Sequence, residues 1–181
     1  NVLKIKELIS QGDIFQANLT TQVEIETYEE YKYLDIYSKI RKKLKAPFGG
    51  VIIGNIDGEK EGVLSTSPER FLKTSHEGYV ETRPIKGTRP RNTDEKMDAL
   101  NAIDLITNEK DRAENIMIVD LLRNDLGKVC EIGSIEVTEL LKLESYPKVH
   151  HLTSVIRGKI QKKKNWIDIL KACWPGGSIT G

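Results

Sequence analysis

Lys86 is the residue of this chain best set up for chemistry: it lies in Thr-Arg-Pro-Ile-Lys-Gly-Thr-Arg-Pro-Arg, Thr82 to Arg91, between two prolines and directly before a glycine. A lysine attacks only as the uncharged amine. Arg83, Arg89 and Arg91 bring further positive charge within a few residues, and like charge together with partial burial favours that uncharged form. The prolines stiffen the backbone, and Gly87 leaves room for a close approach. The segment therefore predicts a shaped cationic loop that draws in anionic small molecules. Its composition fits a solvated basic loop without chemistry equally well.

Carboxylates at two places could work with such a lysine. Ser67-Pro68-Glu69-Arg70-Phe71 leads into a strand that turns at His76-Glu77-Gly78 and returns through Tyr79 to Ile85, so the meander is expected to deliver Glu69 and Lys86 to neighbouring strands. A carboxylate beside a lysine is the pairing of a general acid with a nucleophile, and also that of a structural ion pair. Asp111 to Leu122 reads as a helix with little polar surface, buried on most sides. Asp111 and Glu114, three apart, share a face, and Glu114 lies above Ile118 and Leu121 on a core-directed stripe. Two oxygen ligands at that spacing suit Mg²⁺, and a salt bridge to Lys110, Arg112 or Arg123 suits them as well. Gly176-Gly177-Ser178-Ile179-Thr180-Gly181 follows a helical run and Pro175; such a loop offers backbone N–H groups to an anion and feeds a next helix.

The elements that must hold these groups are mixed. Val2, Ile5, Leu8 and Ile9 form one helical face stopped by Gly12, and Tyr33, Ile36, Tyr37, Ile40 and Leu44 form another ended by Pro47. Phe48 to Ile53 reads as a buried strand, and Asp57-Gly58 as a hairpin turn returning into Gly62 to Thr66. A further helix covers Asn165 to Cys173. No regular alternation of strand and helix runs through the chain, so the fold class is α+β rather than doubly wound. Both ends look abrupt, which suggests a piece of a larger enzyme.

The 181 residues suit a single domain, 1–181, with a real core. Cys130 and Cys173 lie far apart in a sequence with neither a secretory signal nor a long apolar run, so a reducing, cytoplasmic setting is expected, away from membranes. With 28 basic and 27 acidic residues, a general nucleic-acid binder is not expected. No histidine has zinc-site spacing with either cysteine.

Six blocks, in order, resemble the chorismate-utilising enzymes: Gly12 to Thr20, Ser67 to Phe71, Pro84 to Arg91, Asp111 to Asp125, Val149 to Leu152 and Pro175 to Gly181. Any one block is weak evidence; six in register are strong. The resemblance implies two packed, mostly antiparallel sheets with helices outside, with the C-terminal part of that fold missing here. It is nearest the aminodeoxychorismate branch, because Pro-Ile-Lys-Gly-Thr keeps lysine where anthranilate synthases generally carry alanine; Ala17-Asn18-Leu19 and Glu69-Arg70 point the same way. The implied roles are Lys86 as nucleophile, Glu69 as the acid for the departing hydroxyl, and His151 beside the reacting ring. Glu114 and Asp111 would surround Mg²⁺, while Thr88 and the Gly176, Gly177, Ser178, Thr180 and Gly181 loop hold substrate oxygens. The implied partners are chorismate, ammonia and a glutamine amidotransferase subunit. Segments that follow in the family are absent, so this chain alone is expected to be inactive.

Overall fold

The structure is a computed structural model that describes residues 2–14, 17–26 and 32–180. In chain order its elements are α1 (Val2–Gln11), α2 (Tyr33–Lys43), β1 (Phe48–Ile56), β2 (Glu59–Ser67), β3 (Arg70–Thr74), β4 (Tyr79–Arg83), β5 (Ile85–Pro90), α3 (Glu95–Thr107), α4 (Glu109–Gly127), β6 (Glu136–Ser145), β7 (Val149–Lys159), α5 (Trp166–Cys173) and α6 (Gly177–Thr180). Helices and two antiparallel sheets make the class α+β, as expected. The chain divides into two compact units, one of Thr20–Arg70 and one of Asn1–Leu19 with Phe71–Gly181.

In the smaller unit β1 and β2 form a two-stranded antiparallel ribbon, Phe48 opposite Ser67 and Ile56 opposite Glu59. Asp57 and Gly58 both take positive φ, 50° and 88°, the geometry a two-residue hairpin turn requires. α2 covers one face of the ribbon: the Tyr33 hydroxyl donates to the Lys60 carbonyl at 2.7 Å, and Tyr37 lies against Gly49. The buried strand expected at Phe48 to Ile53 is corrected here, because Ile52 is 73 % and Ile53 41 % exposed. An apolar run does not reveal how many of its faces will be covered.

β7 is the axis of the larger unit. β4 and β5 follow one another along one of its edges, Tyr79 to Thr82 opposite Ile156 to Lys159 and Ile85 to Pro90 opposite Val149 to Thr153, while β6 pairs along β7 as well and β3 extends the sheet beyond β4. Pro84, fully buried between the two short strands, cannot donate to a ladder, and its carbonyl accepts from the Ser154 N–H at 3.2 Å. The even-numbered face of β7, His150 to Gly158, is buried throughout. Against it, with Ile156 on that face, α4 sets Ile118, Leu122 and Leu126, joined by Val80 of β4 and Ile169 of α5. Fully burying such side chains contributes about 1.5–3 kcal/mol each before the entropy cost of ordering them.

α4 corrects a second expectation. It is amphipathic rather than buried on most sides: Asn115, Ile118, Val119 and Leu122 are buried, whereas Ile116 is 47 % exposed. α3 starts at Asp94, whose side chain accepts from the Met97 N–H, and α4 at Asn108, whose side chain accepts from the Asp111 N–H. The α5 helix opens on a capping box between Asn165 and Asp168.

Candidate active site

The site is built on an interruption of the β5–β7 ladder. Ile85 is paired with Thr153 and Thr88 with His151, so β5 advances three residues while β7 advances two. Lys86 and Gly87 together oppose Leu152, a bulge that re-aims side chains and twists the strand. Gly87 has φ +88°, and a Cβ there would lie 2.8 Å from Leu105 Cδ1 and 3.0 Å from Asp111 Cβ. Only glycine satisfies both demands, which is how α3 and α4 come to pack directly on the bulge.

Lys86 Nζ then donates to the Ser178 carbonyl at 3.0 Å and lies 3.6 Å from Glu114 Oε1. Its side chain is 13 % exposed and that of Glu114 32 %. The structure thus gathers Lys86, Glu114 and the glycine turn. Glu114 corrects the sequence reading in one respect: it stands at the edge of the buried stripe, half-exposed.

The cationic loop expected around Lys86 is instead two short strands, β4 and β5, and Arg83, Arg89 and Arg91 in and beside them are each bound to a carboxylate. Arg83 pairs with Glu144, which also accepts from the Tyr146 hydroxyl at 2.9 Å. Arg89 donates to Asp104 at 2.5 Å and to Asp111 at 2.9 Å, bridging α3 to α4. Arg91 holds Asp98 through contacts of 2.9 and 3.0 Å, and this guanidinium, with the Asn92 N–H, keeps the Asp98 carboxyl well below the usual carboxylate range. The acids come from α3, α4 and β6, whose docking no reading of the decapeptide could supply.

Asp111 is therefore engaged by Arg89, a partner from another element rather than Lys110, Arg112 or Arg123. Among the described residues no group of three or more metal-ligating side chains is gathered. Glu114 fits Mg²⁺ nonetheless, since that ion is commonly held by one or two protein carboxylates with the rest of its shell from water and substrate. Asp111, one oxygen given to Arg89, fits less well.

Thr88 and His151 face each other across the strands, Oγ1 and Nδ1 2.9 Å apart, and the Tyr146 ring lies 5.6 Å from the imidazole. Burial lowers the His151 pKa, so the ring tends to stay neutral. His150 is the structural member of the pair: it is buried, with Nδ1 2.8 Å from Ser145 Oγ and Nε2 3.1 Å from Asp98 Oδ1. Gly177 to Thr180 form a single helical turn with Gly177 buried against Leu121, and the Ile179 carbonyl accepts from Asn18. Ser178 meets Lys86 through its carbonyl, and Thr180 Oγ1 donates to the Gly176 carbonyl at 3.4 Å. Gly181 lies outside the described residues, as do Phe15 and Gln16 of the first motif block.

Glu69 sits in the bend before β3, in the smaller unit, where the Ser67 hydroxyl donates to its carbonyl at 3.0 Å. The strand it leads into is not the neighbour of the strand that bears Lys86: β3 pairs with β4, and β5 with β7. Sequence reading missed Asn115, a fully buried amide next to Glu114. Its signal was a polar residue on the same helical stripe as Ile118, Val119 and Leu122.

A family model described as chorismate binding enzyme matches residues 1–181. The chain belongs to the chorismate-binding enzymes. Within this family it is 42 % identical over 178 residues to aminodeoxychorismate synthase component 1 of Klebsiella aerogenes, covering 98 % of this chain and 38 % of that protein. It is also 42 % identical over 181 residues to an anthranilate synthase component I-like protein of Synechocystis sp., covering 36 % of it. Among solved structures, anthranilate synthase component I of Streptococcus pneumoniae matches 99 % of this chain and 38 % of its own length, with 29 % identity and a TM-score of 0.75. The chain thus spans little more than a third of these relatives.

Proposed function

We propose that the protein carrying this chain aminates chorismate at C4, giving 4-amino-4-deoxychorismate on the route to p-aminobenzoate and folate. The observation that supports this best is Lys86, held by the bulge against Glu114 and the glycine turn, in a chain whose relatives include a component 1 of aminodeoxychorismate synthase. The Lys86 amine, once deprotonated, adds at C2 of the ring while the C4 hydroxyl leaves as water. Ammonia then attacks C4, expels the lysine and restores the free amine. The balance is chorismate plus ammonia giving aminodeoxychorismate plus water.

Glu69 is taken as the acid for the departing hydroxyl on its Ser-Pro-Glu-Arg-Phe motif alone. Glu114 would hold Mg²⁺, which when bound neutralises the substrate's ring carboxylate; Asp111 serves beside it by anchoring Arg89. His151 and Thr88 present a neutral imidazole and a hydroxyl as a joined pair, suited to a substrate hydroxyl. The glycine turn, Gly176 to Gly181, would supply backbone N–H donors to substrate oxygens. The partner is a glutamine amidotransferase subunit that delivers ammonia, and the setting the cytoplasm; among the described residues no helix is long and apolar enough to cross a membrane.

The second reading is anthranilate synthesis, favoured by the Synechocystis relative and the Streptococcus structure. Incubating the intact protein with chorismate, ammonia and Mg²⁺ and identifying the product decides between them. Aminodeoxychorismate, converted to p-aminobenzoate by added lyase, is expected; anthranilate would overturn the proposal.

A further inference from the structure

Asn115 has no exposed surface, and every polar group around it is matched to one orientation of its amide. Its Nδ2 donates to the Leu152 carbonyl at 3.1 Å, and its Oδ1 accepts from Ser154 Oγ at 2.6 Å. The Ser154 hydroxyl, its proton given to Asn115, accepts from the Leu141 N–H at 3.0 Å. Leu141 is a non-glycine residue at φ +54°, in the irregular stretch of β6 between Glu139 and Lys142. The Leu152 carbonyl can only accept, so a flipped amide would set two acceptors face to face, and the carbonyl fixes the orientation. Such a buried hydrogen-bonded network favours one arrangement of its elements.

The places this network grips are those that border the site. Leu152 is the β7 residue opposite the Lys86–Gly87 bulge, and the Ser154 N–H holds the carbonyl of Pro84, two residues before Lys86. Asn115 is the chain neighbour of Glu114, so tying its amide to Leu152 fixes the roll of α4 about its axis. That roll sets where the Glu114 carboxylate meets the Lys86 amine.

We infer that Asn115, with Ser154, is a positioning residue that sets Glu114 against Lys86. The inference rests on the reading of those two as working residues. The test is Asn115→Asp, nearly isosteric, which replaces the Nδ2 donor with an acceptor facing the Leu152 carbonyl, and Ser154→Ala as a milder variant. Both are made in the intact protein and treated with trace acetic anhydride, and acylation of Lys86 is measured by mass spectrometry against the exposed Lys162, Lys163 and Lys164. Protection of the buried Cys130 and Cys173 thiols reports that the core is intact.

With the thiols protected, Lys86 labelling is expected to rise about fivefold or more in either variant, as loss of its partner frees the amine. Unchanged Lys86 labelling with protected thiols overturns the inference. So does exposure of the thiols in both variants, because the network then serves the core as a whole. Labelling needs no substrate, so a product that turned against chorismate amination would leave this result readable.

Discussion

Gly87 and Asp111 approach so closely that a Cβ on the glycine would lie 3.0 Å from the Cβ of the aspartate. With the positive φ at Gly87, this leaves Gly87→Ala strained in its own backbone and crowded against α3 and α4 at once. Chemical denaturation of the variant is expected to show a loss of about 2–4 kcal/mol. An unchanged midpoint would mean that α4 does not seat on the bulge as described.

Lys86→Ala removes the amine that the proposed covalent route requires. In the intact protein amination at C4 is expected to fall more than about a hundredfold, or to be redirected to C2. Equal rate and product would return Lys86 to the role of ion-pair partner for Glu114.

Glu114→Gln keeps the shape of the side chain and removes its charge. The pair with Lys86 is partly exposed, so stability should change by less than about 1 kcal/mol. The Mg²⁺ concentration for half-maximal activity should rise about tenfold or more. A normal Mg²⁺ response in the variant would place the metal elsewhere.

Burial lowers the His151 pKa, so the folded state binds this proton less readily than the unfolded chain. The unfolded state therefore carries more protons, and stability is lost as pH falls through about 6.5, the ordinary histidine value. His151→Gln should flatten that part of a stability-against-pH curve. The Asp98 carboxyl is lowered as well, but by a partner rather than by burial: Arg91 stabilises its carboxylate, so its contribution is present above about 3.9 and disappears in stronger acid. A curve with no loss in either window would contradict these placements.

Cys130 and Cys173 are each 1 % exposed, and burial pushes both thiols up to about 11. Near pH 7.5 a thiol reagent is expected to find neither until the protein unfolds, and then both, since only a thiolate reacts readily. Fast labelling of the native protein would show that the core between α4, β7 and α5 is open.

Residue order alone determined a good deal here. The hairpin at Asp57-Gly58, the helices ending at Gln11 and Cys173, the α+β class and the six motif blocks all rest on local preferences or on patterns that survive without a fold. The same sequence did not disclose α3 and β6, whose apolar positions are interleaved with charge, and it misjudged the burial of the Phe48 to Ile53 run and of α4, because periodicity says which residues share a face but not what will cover it. Only the packed chain decided that Arg89 takes Asp104 and Asp111, that Arg91 takes Asp98, and that Lys86 meets Glu114 and the Ser178 carbonyl. Lys86 and Ser178 are separated by 92 positions. Such pairings depend on how α3, α4 and α6 dock around a bulge in β5, and docking is set by shape and burial summed over the whole unit rather than by neighbours in the chain.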